Sequence, residues 1–141
     1  QGPAAIRYPR GQSPEVNIES ELKALPLGKA KVVKEGQKMA FLNFGALLPT
    51  AVALGEAFDA TVVDMRFVKP LDESLLQHLA KTHDIFITLE ENVIAGGAGS
   101  AVSEFFAQNT EKNLAIHHFG LPDFFVEHGE REEMLKSVNL D

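Results

Sequence analysis

The chain has 141 residues, 45% hydrophobic and 23% charged, with a net charge of −7 and no cysteine. That length fits one domain with a short flanking segment, and the scattered basic residues exclude a sequence-independent nucleic-acid binder. The lack of thiols excludes disulfides and fits a reducing, cytoplasmic setting, and no apolar run approaches the ~20 residues that span a bilayer, so no membrane is expected as a partner.

In chain order, Ala4–Tyr8 reads as a short strand stopped by Pro9, which lacks the amide proton a ladder needs. The start Gln1-Gly2-Pro3 lacks the charged leader and apolar run of a signal peptide, and the chain reads as a piece of something longer. Residues 11–27 hold Pro14, Pro26 and several acids without a sustained period, the composition of a connecting segment. Residues 29–34 alternate polar and apolar like an edge strand, with Lys29, Lys31 and Lys34 on one exposed face. After a turn at Glu35-Gly36-Gln37, residues 38–44 form a strand buried on both faces.

Strand and helix then alternate. Residues 48–58 make a helix with Pro49 in the first turn, where a missing donor costs little. Residues 60–65 are a second buried strand. Pro70-Leu71-Asp72 opens a helix with leucines at 71, 75, 76 and 79 on one face and Asp72 at the N-cap. Residues 84–89 are a third buried strand, 98–108 the next helix, 114–119 a fourth strand, and 130–138 a closing helix. The alternation calls for an α/β fold, a mostly parallel sheet covered on both faces.

Four groups of residues invite chemistry. The turn from Ala95 to Ser100, with Gly96, Gly97 and Gly99, precedes a helix whose amino end offers free amides to an anion. Its spacing fits neither G-x-G-x-x-G nor G-x-x-x-x-G-K-[ST], and Glu90 and Glu91 repel a phosphate placed there. Those adjacent carboxylates point to opposite sheet faces and do not share a site, which favours a structural or interface role over acid–base work. The histidines do not converge: His117 and His118 face opposite ways, His78 and His83 lie across a helix end, and only His128 has a possible loop partner, Asp123. Arg7-Tyr8-Pro9-Arg10-Gly11 sets two arginines at a proline-stiffened bend, either an anion site or plain surface charge.

Together these segments resemble the carboxyl-terminal part of the 1-deoxy-D-xylulose-5-phosphate synthases. The matching stretches are AIRYPRG from Ala5, LPLGKAKVVKEG at 25–36, FLNFGALLP at 41–49, VVDMRFVKPLDE at 62–73, TLEENVIAGGAGSAV at 88–102 and GLPDFFVEHG at 120–129. The endings VVDMRFVKPLD and DFFVEHG set the chain apart from a 2-oxo acid dehydrogenase beta subunit. A start inside AIRYPRG sets it apart from a free-standing interaction domain of this fold.

The resemblance implies a transketolase C-terminal domain over residues 28–141: three layers, α/β/α, on a five-stranded mixed sheet with one antiparallel edge strand. Residues 1–12 are then the tail of a preceding pyrimidine-binding domain, and 13–27 a linker. It implies thiamine diphosphate and magnesium in the complete enzyme, neither bound by this chain, whose catalytic groups belong to earlier domains. It also implies a homodimer whose partners are the remaining domains of the same enzyme. The one functional position that carries over is Arg10, facing the phosphate of glyceraldehyde 3-phosphate, with Arg7 structural.

Overall fold

The structure, a computed structural model, describes residues 2–6, 21 and 23–141. Nine elements follow in order: β1 (Lys31–Lys34), β2 (Lys38–Phe44), α1 (Leu48–Ala57), β3 (Thr61–Asp64), α2 (Glu73–Ala80), β4 (His83–Val93), α3 (Ala98–Asn109), β5 (Ala115–Leu121) and α4 (Arg131–Ser137). The five strands make one sheet in the order β1-β3-β2-β4-β5, with β1 antiparallel to β3 and every other pair parallel.

Alternation along the buried strands divides the core into two layers. Ala40, Leu42, Val63 and Phe86 project to one face and pack under Leu76 and Leu79 of α2 and Val102, Phe105 and Phe106 of α3. The Phe86 and Phe106 rings meet at 4.7 Å between centroids, tilted by 48°, within the favourable range for aromatic pairs. Phe41, Val62 and Leu89 project to the other face, beneath Ala51 of α1 and beside Leu135 and Leu140 at α4. Three layers result. On the α1 side the cover stops short of β5, leaving Ala115, His117 and Phe119 exposed.

The chain steps from β2 to β3 in one direction and then returns across β2 to reach β4. The connections leaving β2 and β4, adjacent strands, therefore turn to opposite faces. This is the switch point at which parallel sheets open a crevice.

Several segments differ from the sequence reading. Ala4–Ile6, the described part of the first strand candidate, is irregular, as befits a lone strand without a ladder partner. β1 does not alternate: Val32 and Val33 are both exposed, and a register shift between Val32 and Lys34 breaks the period. Lys34, expected on the open face, lies along the sheet edge, bonding the carbonyl of Ala60 and pairing with Asp59.

Asp72 fixes where the chain enters this unit. Its carboxylate caps α2 by accepting from the Leu75 amide at 3.2 Å, and it also accepts from the Ala30 amide at 3.1 Å, the Ser74 hydroxyl at 2.7 Å and the Lys29 ammonium at 3.3 Å. Burial alone raises its pKa, but the donors from Ser74, Ala30, Leu75 and Lys29 outweigh it and hold the carboxyl below its ordinary 3.8. A folded value below the unfolded one gives stability that is complete above the ordinary carboxylate range and is lost as pH falls through the lowered value. Asp72→Ala is expected to cost about 1–2 kcal/mol at neutral pH. Urea titrations should show the gap between wild type and variant narrowing toward strongly acidic pH.

Candidate functional site

The carboxyl end of β4 carries the acids and glycines that the sequence singled out. β4 continues through both glutamates: Glu90 pairs in register with Phe44 of β2, and the ladder to β5 resumes at Val93 after a register shift. The two acids diverge as expected. Glu91 forms an ion pair with Arg131 at the start of α4, tying that helix to the strand end.

Glu90 turns to the α3 face, is only 2% exposed, and meets the amino end of α3. Its Oε2 accepts from the Ala98 amide at 2.7 Å and its Oε1 from the Gly99 amide at 2.8 Å. A helix leaves its first amides without internal partners and concentrates positive potential there. Gly97, the N-cap position, has no side chain to serve those amides, and the strand's own carboxylate serves them from eight residues back.

The glycines follow from that arrangement. Gly96 sits at φ +72° and makes the turn. A Cβ on Gly97 would stand 2.5 Å from Oε2 and 2.7 Å from Oε1 of Glu90, and one on Gly99 would lie 2.6 Å from the Thr88 hydroxyl and against the His118 ring. The anion-binding end of α3 is thus already filled by an anion of the same chain.

Beneath α3, the sequence reading missed a polar tie. Thr88 and His118 are register partners on β4 and β5. The Thr88 hydroxyl lies 2.7 Å from His118 Nδ1, and the Ser103 hydroxyl of α3 lies 2.8 Å from Nε2. A neutral imidazole donates through one nitrogen and accepts through the other, and two hydroxyls serve both. Among the described residues the ring bonds two hydroxyls and no carboxylate, so the arrangement is not that of an activated serine nucleophile. The available signal was the shared sheet face of residues 88 and 118, recognisable only once the register is known.

The switch point also buries Asn43 at the end of β2. Its Nδ2 donates to the Gly45 carbonyl at 2.8 Å, while its Oδ1 has no partner among the described residues. A cavity of about 390 Å³ opens between Leu47 and Thr50 at the α1 entry and Arg131 and Leu135 of α4. Among the described residues, no three His, Asp or Glu side chains group as metal ligands. At the other end of the sheet, His83 is buried with Nε2 2.8 Å from the Thr61 hydroxyl and Nδ1 3.1 Å from the Leu79 carbonyl. Arg7 and Arg10 lie outside the described residues.

Glu90→Ala strands two buried amides and is expected to cost about 3 kcal/mol. Glu90→Gln keeps the shape and one acceptor but sets its NH2 donor against the other buried amide, and should cost about 2 kcal/mol. Gly99→Ala drives a methyl group into Thr88 and His118, for about 1–3 kcal/mol. Denaturant titration orders the three, and amide exchange at residues 98 and 99 should accelerate most in Glu90→Ala.

Residues 28–141 match the family described as the C-terminal domain of transketolase. Over 141 residues the chain is 55% identical to the 1-deoxy-D-xylulose-5-phosphate synthase of Stutzerimonas stutzeri (strain A1501), covering 100% of this chain and 22% of that protein. Over 140 residues it is 54% identical to the synthase of Thioalkalivibrio sulfidiphilus (strain HL-EbGR7), covering 99% and 22%. The chain thus spans less than a quarter of the length of the curated relatives it matches. Among solved structures, a split-gene transketolase described as an inactive beta4 tetramer superposes with a TM-score of 0.76 at 27% identity, over 82% of this chain and 39% of that one.

Proposed function

The chain belongs to the transketolase C-terminal domain family, and from that membership we propose that it is the carboxyl-terminal part of a 1-deoxy-D-xylulose-5-phosphate synthase. The complete enzyme, a cytoplasmic transferase, condenses pyruvate with glyceraldehyde 3-phosphate, releases carbon dioxide, and feeds isoprenoid, thiamine and pyridoxal synthesis. The observation that carries the reading is the 55% identity spread over all 141 residues, flanking segment included.

Within that enzyme the chain supports folding and dimerisation and is inactive alone. Residues 28–141 are the domain, 13–27 the linker and 1–12 the tail of the preceding pyrimidine-binding domain. The split-gene relative supports the division of labour, because that assembly is itself described as inactive.

The complete enzyme would take thiamine diphosphate and a magnesium ion for its carbon–carbon bond chemistry. The described residues do not fit that group: the α3 amino end holds the Glu90 carboxylate, and no metal-ligand cluster forms among them. We place the cofactor site in the parts of the enzyme outside this chain. Isothermal titration of residues 1–141 with thiamine diphosphate and magnesium should give no binding heat, and clear affinity would reject the assignment.

Arg10 is assigned to the phosphate of glyceraldehyde 3-phosphate, and Arg7 to a structural role. A charge-assisted contact is worth roughly 1.5–3 kcal/mol, about ten- to a hundredfold in affinity. In the complete enzyme, Arg10→Ala should raise the KM for glyceraldehyde 3-phosphate by that factor and leave the KM for pyruvate nearly unchanged. Equal effects on the two substrates would remove Arg10 from this role.

A further inference from the structure

At the amino end of the parallel strands, a buried histidine belongs to a chain of bonds across three elements and a turn. His83 is the first residue of β4 and is only 5% exposed. Its Nδ1 lies 3.1 Å from the Leu79 carbonyl of α2, and its Nε2 lies 2.8 Å from the Thr61 hydroxyl of β3. The Thr61 oxygen also accepts from the Gly36 amide at 3.0 Å and stands 3.2 Å from the Gly36 carbonyl, in the turn between β1 and β2. That turn is pressed onto the start of β3, where a Cβ on Gly36 would collide with the backbone of Asp59 and Ala60.

The protons in this chain are few. A carbonyl only accepts, so the Leu79 oxygen places a proton on Nδ1, and Nε2 of the neutral ring is then an acceptor. The Thr82 hydroxyl, 2.9 Å from Nδ1, donates or accepts and fits that tautomer. Thr61 has one hydroxyl proton and two acceptors in reach, His83 Nε2 and the Gly36 carbonyl. With the ring neutral, the shorter contact to Nε2 takes it. A protonated ring donates from Nε2 to the Thr61 oxygen, whose other lone pair holds the Gly36 amide, and the hydroxyl proton turns to the Gly36 carbonyl. Both N–H groups of the imidazolium are then met in place.

The charges around the ring come from several elements. Lys38 of β2 is its register partner, and Lys112 bonds the His83 carbonyl at 2.9 Å while pairing with Asp84. Lys34 pairs with Asp59 at the start of β3, and His78 and Lys81 on α2 are exposed. The hydrogen bonds given for the ring go to hydroxyls and a carbonyl, so their polarity sets its protonated form.

We propose that Thr61 is a one-proton switch between His83 and the β1–β2 turn, so that proton uptake by His83 fastens the end of the edge strand β1. That strand is four residues long, pairs with β3 through a shifted register, and is held at its entry by Asp72 through Ala30. Gly36 lies just past its other end. The Gly36 bond is present with His83 protonated and is lost as pH rises through the range in which histidines change charge. Asp72, held below its ordinary 3.8, keeps its charge throughout that range.

The test is an NMR titration of the 141-residue chain, labelled with carbonyl-13C glycine and ring-15N histidine, from about pH 8 to about pH 5. His83 is expected as the Nδ1–H tautomer at the upper end, and the Gly36 carbonyl resonance should shift with the same midpoint as the His83 ring. An Nε2–H tautomer at the upper end, or a Gly36 carbonyl that stays still while the ring titrates, would overturn the proposal. Thr61→Ser should keep the coupled shift, whereas Thr61→Val and His83→Gln should abolish it. A shift that persists in His83→Gln also overturns the switch, and the wild-type curve decides alone where a variant fails to fold.

Discussion

The arrangement rests on one buried carboxylate placed between a strand and the helix that follows it. Glu90 bonds the Ala98 and Gly99 amides, which fixes the angle at which α3 leaves the sheet. The space it fills is the space that a side chain at 97 would need, and Thr88 and His118 fill the space that one at 99 would need. With α3 held there, Phe105 and Phe106 reach the Phe86 layer and Ser103 sits over His118. His118 in turn bonds Thr88, which ties the edge strand β5 to its neighbour β4. Loss of the Glu90 charge is therefore felt along α3 and β5 as well as at the turn.

The same economy appears at a second helix. The amino end of α2 receives the Asp72 carboxylate, which simultaneously binds the amide of Ala30 in the entering chain. Helix amino ends at the carboxyl edge of a parallel sheet are the usual anion sites of this architecture. Here α2 and α3 both close theirs with acids of the chain itself. The α1 end has no side-chain cap, carries a proline in its first turn, and sits beside α4. What the carboxyl edge presents outward is a surface of side chains.

Much of this was legible in the sequence, for physical reasons that vary by element. β2 and β3 are doubly buried around the short apolar runs Met39–Leu42 and Val62–Val63, and α2 shows both its leucine face and its capping Asp72. β4 extends past the expected end because Glu90 and Glu91 stay in the sheet while a period of apolar residues stops at Leu89. The divergence of those two acids follows from strand geometry alone and was foreseeable. The destination of Glu90 was not, since its partners lie eight and nine residues on and depend on the angle of the turn. In sequence Glu90 is a group that repels an anion from the helix end; in the structure it is the anion that binds there. His118, Thr88 and Ser103 come from three elements, and only the register brings them together. Asn43 shows the reverse difficulty, a polar side chain that is plain in the sequence but whose burial inside the strand is not.

A unit that satisfies two of its helix ends internally gains rigidity and gives up groups that otherwise serve ligands. Function for such a unit lies in what it holds in place. Asp72 shows what is held, because the carboxylate that caps α2 also accepts from the Ala30 amide and from Lys29, where the chain enters the sheet. Anchoring that entry limits the freedom lost by whatever contacts the neighbouring residues make. The acids that close the helix ends are thus consumed inside the domain, and in exchange its entry point and the start of α3 stay still.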